Sequence, residues 1–318
     1  MRIDELCFVV LGSIELATRI RRYYTITTVT LIALGLILLS AMAHASWNLL
    51  AKRATNQELF IWWMLVSISI LFSPLAIVLL WTESITYPGW WFVLGTVILH
   101  ALYFVLLGRS YTHADLSLAY PVARGFGPAL VPILGVVILR ETISPLAIAG
   151  IILVISGIYT VYWWGHFQQF LRDPLRLFRD VGVRYAMFTG LVNAVQSIWD
   201  KVGVGYVNPF LYMYLLALGG VIVLCPYMLH AHGKVAVRSE GQGNLKVVPI
   251  AGMLMFIAYG LVLLTMQFTQ VSYVIPTREI GIVIGVLLGT IILGESFGKG
   301  RIFGSLLIAS GVALISIA

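Results

Sequence analysis

The chain has 318 residues, of which 60% are hydrophobic and only 10% charged, with a mean hydropathy of +0.97; a soluble domain averages roughly 45–50% apolar and about 25% charged. This composition excludes an ordinary soluble domain and reads as a polytopic membrane protein. The formal charge of +7 rests on so few ionisable groups that it belongs to loops facing lipid headgroups, not to a nucleic-acid surface, and the two cysteines, Cys7 and Cys225, have neither disulfide-framework nor metal-ligand spacing.

A hydrocarbon core of about 30 Å needs about 20 apolar residues per helix. Ten runs of that kind occur, at 27–51, 59–81, 89–108, 115–139, 144–164, 184–202, 209–230, 247–268, 271–293 and 299–317. Residues 1–26 read as a poorly specified tail. The stretch from Arg19 to Ala43 has the basic start, apolar middle and Ala41-Met42-Ala43 ending of a cleaved signal. The apolar character runs on through "HASWNLLAK", however, so an uncleaved first span is expected.

That first span holds His44, Trp47 and Asn48 but no Asp or Glu, which disfavours exchange of cationic drugs. His44 and Asn48 are four apart and share a helical face. After the third span, His113 and Asp115 beside Arg109 offer the best constellation for a membrane-embedded enzyme, and its geometry on a short loop is weak; no Gly-x-Ser-x-Gly or His-Glu-x-x-His occurs. No catalytic residue, metal site or cofactor is therefore expected.

The fourth span, "YPVARGFGPALVPILGVVIL", carries Tyr120 and Arg124. Arg124 lies about 13 Å into the span at 1.5 Å per residue, where a charge costs at least about 2.5–3.5 kcal/mol unless it faces water or an anion. Pro121, Pro128 and Pro132, with Pro276 in the ninth span, favour kinks that free carbonyls. Gly125, Gly127, Gly281 and Gly285 permit close approach of helices or of a ligand to backbone. Residues 165–183, with Phe167, Phe170, Leu171, Leu175 and Phe178 at helical spacing, read as a linker forming a short helix in the membrane interface. The sixth span contributes Asn193, Gln196, Trp199, Asp200 and Lys201, and "HAHGKVAVRSEGQGN" from His230 to Asn244 reads as a long polar connection. Trp47 and Trp199 are read first as interface anchors or core filling, and Lys52 and Lys201 as snorkelling ends of spans.

Sliding the chain by 154 positions aligns 124–157 with 278–311 with 12 identities in 34 positions, among them Arg124 with Arg278, Gly135 with Gly289 and Glu141 with Glu295. "HASWNLLAKRA" (44–54) aligns more weakly with "NAVQSIWDKVG" (193–203). Two halves of five spans follow, 27–164 and 184–318, and an odd number of spans gives them opposite orientations. The expected fold is therefore an all-α membrane protein with ten transmembrane helices as two inverted five-helix repeats.

"HASWNLLAKRA", "DLSLAYPVARGFGP", "LRETISPLAIAGIILVISG" and "VSYVIPTREIGIVIGVLLGTIILGE" resemble the EamA-type branch of the drug/metabolite transporter superfamily, over roughly residues 28–318. The most specific pieces are the Pro-x-x-Arg motif of the fourth span and the steps Arg140-Glu141 and Gly294-Glu295 before the fifth and tenth. The resemblance implies a ten-helix carrier of metabolites, often an exporter, with a central cavity between the halves; it names no substrate. Loop lysines and arginines favour external termini, whereas the resemblance implies cytosolic ones, and the latter is the expectation.

The candidate substrate site is Arg124, Arg278, His44, Asn48, Tyr120, Asn193, Gln196 and Asp200. The two guanidinium groups suit a carboxylate or phosphate by forked hydrogen bonding, and equally a structural pin against Glu279, Asp115 or Asp200. Glu141 and Glu295 are read as residues favoured by a helix-start dipole. Proton coupling stays open through His44, His100, Asp200 or Glu279. The expectation is a secondary transporter of a small polar metabolite with a carboxylate or phosphonate group, acting as a monomer in a bacterial inner membrane, with a lipid-linked-substrate flippase as the alternative.

Overall fold

A computed structural model describes residues 30–113, 116–164, 180–293 and 298–318, with the side chains of 111, 112, 116–121 and 293 outside that description. The tail 1–26 and the interfacial linker, but for its last residues, fall outside the described part. All regular structure among the described residues is helical. The helices are α1 (Leu31–Lys52), α2 (Gln57–Leu71), α3 (Ser73–Thr82), α4 (Gly89–His113), α5 (Leu116–Leu139), α6 (Pro145–Trp163), α7 (Val181–Gly203), α8 (Pro209–Gly243), α9 (Val247–Phe268), α10 (Val271–Arg278), α11 (Ile280–Leu293) and α12 (Lys299–Ser316).

Eight described helices or helix pairs in line are long and apolar enough to cross a membrane, or nine if α2 and α3 form one bent span. The expected sixth span, α7, falls short because Arg184, Asn193, Gln196, Asp200 and Lys201 lower its mean hydropathy. The expected continuous span 59–81 is broken: α2 and α3 meet at 54°. Pro74 stands in the first turn of α3, where its ring and missing N–H disrupt the ladder of the preceding helix. The expected ninth span is divided at Glu279, whose N–H reaches back to the Pro276 carbonyl (3.1 Å) just after Arg278. The expected polar connection 230–244 is instead helical as far as Gly243, after a break at Gly233 (φ 78°).

Starts and stops follow local chemistry. Thr30, Asn56, Ser144 and Asp180 cap α1, α2, α6 and α7 by accepting a backbone N–H with their side chains. α1 packs on α9 and α11, α7 packs on α4 and α5, α8 packs on α2 and α4, and α6 packs on α12. The α6–α12 crossing is close enough to exclude a Cβ. One added at Gly150 would lie 2.6 Å from the Gly311 carbonyl oxygen, and one at Gly157 would lie 2.7 Å from that of Gly304. Ser40 joins α1 to α9 by donating to the Ala258 carbonyl (2.7 Å), as expected where small side chains and hydroxyls glue helices in lipid.

Candidate functional site

The described bundle encloses a cavity of about 650 Å³ that opens at the end where α1 finishes and α2 and α12 begin. α1 supplies its first wall. His44, Trp47, Asn48 and Lys52 recur at helical spacing and all line the cavity. The His44 ring sits edge-on to Trp47 with centroids 4.9 Å apart. Asn48 Nδ2 donates to the His44 carbonyl (2.7 Å). His44 Nε2 and Trp47 Nε1 are buried and have no hydrogen-bond partner among the described residues, an uncommon state for buried polar groups.

The opposite wall is the divided span. Arg278 ends α10 and Glu279 fills the break, with Arg278 Nη2 4.0 Å from Glu279 Oε1. Gly281, Gly285 and Gly289 of α11 continue the wall. A Cβ at Gly285 would meet nothing within 4 Å, so this glycine opens space, whereas Gly127 serves close helix approach. A Cβ there would lie 2.6 Å from Asn193 Nδ2. Arg124 of α5, Tyr162 of α6 and, at the mouth, Gln57 and Arg301 complete the lining. Arg124 and Arg278 thus share one void. Among the described residues the lining holds Lys52, Arg124, Arg278 and Arg301 and the carboxylate of Glu279.

Of the residues expected from sequence, His44, Asn48, Arg124 and Arg278 come together. Asn193, Gln196 and Asp200 do not line this cavity. Asn193 lies in the α5–α7 contact, and Asp200 is fully buried, accepting hydrogen bonds from Tyr212 Oη (2.8 Å) and Tyr259 Oη (2.5 Å). Gln196 is buried beside that carboxylate. The Tyr120 side chain lies outside the described residues. Trp47, Gln57, Tyr162 and Arg301 join the lining although sequence reasoning did not place them at a site; the 44-47-48 spacing was the available signal for Trp47.

Glu141 does serve a helix start, but not that of the span it precedes. Ser144 caps α6, while Glu141 accepts from the first amides of α10. Lys201 does not snorkel; it donates to the Met266 and Thr269 carbonyls that end α9. Glu295 lies outside the described residues.

A bundle of apolar helices around a largely apolar cavity that carries four basic side chains defines an integral membrane protein. The EamA-like transporter family matches residues 31–163 and, a second time, 180–317; the chain belongs to this family and is a transporter, not an enzyme. Multidrug resistance protein EbrA of Bacillus atrophaeus is 34% identical over 67 residues, 21% of this chain and 64% of that protein. Quaternary ammonium compound-resistance protein QacC of Staphylococcus aureus is 29% identical over 72 residues, 23% of this chain and 67% of that protein. The matched part spans about two thirds of these relatives' length. A protein of known crystal structure superposes with a TM-score of 0.63 at 16% identity, over 91% of this chain and 97% of that one, a likeness of fold alone.

Proposed function

We propose that the chain is a secondary carrier that exports a small polar metabolite bearing a carboxylate or phosphonate group, by alternating access between two inverted five-helix repeats, 27–164 and 184–318. The observation that carries the reading is the meeting of Arg124 and Arg278, 154 positions apart in the chain, on the wall of one cavity. Forked guanidinium donors recognise both anion types, and His44, Trp47 and Asn48 add polar groups for the rest of the solute.

The repeat is supported by the packing. Exchanging α1 with α7, α2 with α8, α4 with α9, α5 with α10–α11 and α6 with α12 turns α4–α7 into α1–α9, α5–α7 into α1–α11, α2–α9 into α4–α8 and α5–α6 into α11–α12, and leaves α6–α12 and α2–α8 unchanged, whereas the α8–α9 pair has no counterpart of similar extent. The glycine contacts are reciprocal: Gly150 and Gly304 are equivalent under the 154-residue shift, as are Gly157 and Gly311, and Gly150 meets Gly311 while Gly157 meets Gly304. The double family match has the same division. With α2–α3 counted as a single bent span, α10–α11 as one span in line and α7 as a polar one, the crossings number ten. A cavity that opens at one end and does not reach the other fits one of the two states that alternating access requires. His44 and Glu279 line it and are the groups through which proton coupling would run. The bacterial relatives support a cell-membrane location, and the monomer is the working unit.

The printed names of the relatives favour a second reading, export of quaternary ammonium cations. Against it stand four basic side chains and one carboxylate among the described residues of the lining, and the lack of any Asp or Glu in α1. Thermal-shift titration of purified protein with amino acids, organic phosphonates and a quaternary ammonium dye separates the two. A carboxylate or phosphonate compound should raise the unfolding temperature by mass action, and Arg124→Gln or Arg278→Gln should weaken its binding on the order of ten- to a hundredfold, the worth of a charge-assisted hydrogen bond. Stabilisation by the dye, with none by the anions, refutes the proposal. Leaflet exchange of a lipid in liposomes, without solute flux, would instead identify a flippase.

A further inference from the structure

The lining of the cavity does not reach the end opposite the mouth, where α5, α7 and α9 finish and α10 begins, and Val271, Ser272 and Tyr273 are buried there. Glu141, two residues beyond α5, accepts hydrogen bonds from Val271 N (2.9 Å), Ser272 N (3.0 Å) and Ser272 Oγ (2.5 Å). These include the first two amides of α10, which have no partner within their own helix. The Ser144 N–H donates to Tyr273 Oη (3.2 Å) beside them. The α5 backbone makes room for this arrangement at Gly135, where a Cβ would lie 2.7 Å from Glu141 Oε2 and closer still to Ser272 Oγ.

The junction is gripped from its other side as well. Lys201 Nζ donates to the carbonyls of Met266 and of Thr269 (3.0 Å), which close α9, and it lies within electrostatic reach of Glu141. An ammonium thus meets the carbonyl end of one helix and a carboxylate the amide end of the next, each matched to the helix dipole. Glu141 and Ser144 belong to the first family match, while Val271, Ser272 and Tyr273 belong to the second. α10 runs from this grip to Arg278, its last residue, about 10 Å away.

We propose that Glu141 is a latch between the two halves: it seals the end remote from the mouth by holding the amide end of α10, and through α10 it positions Arg278 in the cavity. The inference rests on the alternating-access reading, since only in such a cycle does this end have to open. Opening requires Glu141 to release the α10 amides and Ser272. Three donors converge on a charged acceptor, and a neutral amide in its place forms weaker bonds. Weakening the latch therefore moves the population toward the state open at the Glu141 end.

The test uses the full-length chain with Cys7→Ser and Cys225→Ala, carrying one reporter at a time: Gln270→Cys at the sealed junction, or Gly285→Cys in the cavity. Labelling by an impermeant maleimide is measured from the Glu141 end for the first and from the mouth for the second, with no substrate added. Glu141→Gln should accelerate labelling at 270 on the order of tenfold and slow labelling at 285. Ser272→Ala, which removes a single arm, should shift both in the same directions by less and stands in if the first variant does not fold. Unchanged rates, or faster labelling at both reporters, overturn the latch, the latter outcome marking Glu141 as a plain helix cap. The underlying cycle is checked separately in the chain with native Glu141: a Gln270→Cys reporter that stays unlabelled during measured solute flux removes alternating access itself, whereas reporters that respond to flux but ignore Glu141→Gln remove only the latch.

Discussion

Replacing Gly157 by alanine is the sharpest test of the packing at the α6–α12 seam. The new Cβ would stand 2.7 Å from the Gly304 carbonyl oxygen, 2.7 Å from Ile308 Cγ1 and 2.9 Å from Ile308 N. Two of these atoms are backbone and cannot swing aside. To regain a tolerable 3.4 Å the helices must part by about 0.7 Å, the difference 3.4 − 2.7, which also opens the neighbouring contact at Gly150. Overpacking of this size costs about 1–3 kcal/mol, and the better helix propensity of alanine returns up to about 1 kcal/mol. The expected net loss is about 1–2 kcal/mol, since close backbone approach is a main source of helix association in lipid. Gly150→Ala/Gly157→Ala should cost less than twice that, because one separation relieves both clashes. Thermal unfolding in detergent reads the loss, with Gly35→Ala as the control, since its Cβ would meet nothing within 4 Å. A Gly157→Ala midpoint equal to or above that of the control would refute the reasoning.

Two other substitutions probe the interior. Gly285→Leu projects a side chain into open cavity space; solute flux should fall severalfold while thermal stability holds or rises, since glycine within a helix costs about 1 kcal/mol, and a loss of flux that comes only with unfolding would show that the position is packing. Tyr259→Phe removes a donor from the fully buried Asp200 carboxylate and should cost about 1.5–3 kcal/mol in an unfolding assay; a double-mutant cycle with Tyr212→Phe should show clear coupling, and additive, near-zero costs would mean that neither hydroxyl supports the carboxylate.

Most helix positions were readable because lipid imposes a length rule on apolar runs, and the limits expected for α5, α9 and α12 agree with those observed to within a few residues. Breaks inside apolar runs were harder. Pro74 was visible, but a run hydrophobic on all sides carries no facing signal, so nothing marked α2 and α3 as bent. The stretch after His230 looked like a loop because it is polar; its helix is held by packing, with Trp63 Nε1 donating to the Val237 carbonyl (2.8 Å) and a Cβ at Gly241 excluded by the Trp63 ring. At the site, the two arginines were legible through cost: a charge inside an apolar run demands an explanation. Asp200 obeys the same rule yet answers it with two tyrosines from α8 and α9, 12 and 59 positions away, and no local pattern announces partners at that range. Glu141 was read correctly as serving a helix start, but the helix it serves lies 130 positions along the chain.

The seam between α6 and α12 has two touching points, seven residues apart on each helix of the pair, or about 10 Å along the axis. One point of contact would make a swivel; two make a weld. Because α6 belongs to one proposed repeat and α12 to the other, this seam joins the two halves, and any relative motion between them would have to arise in the elements on either side of it.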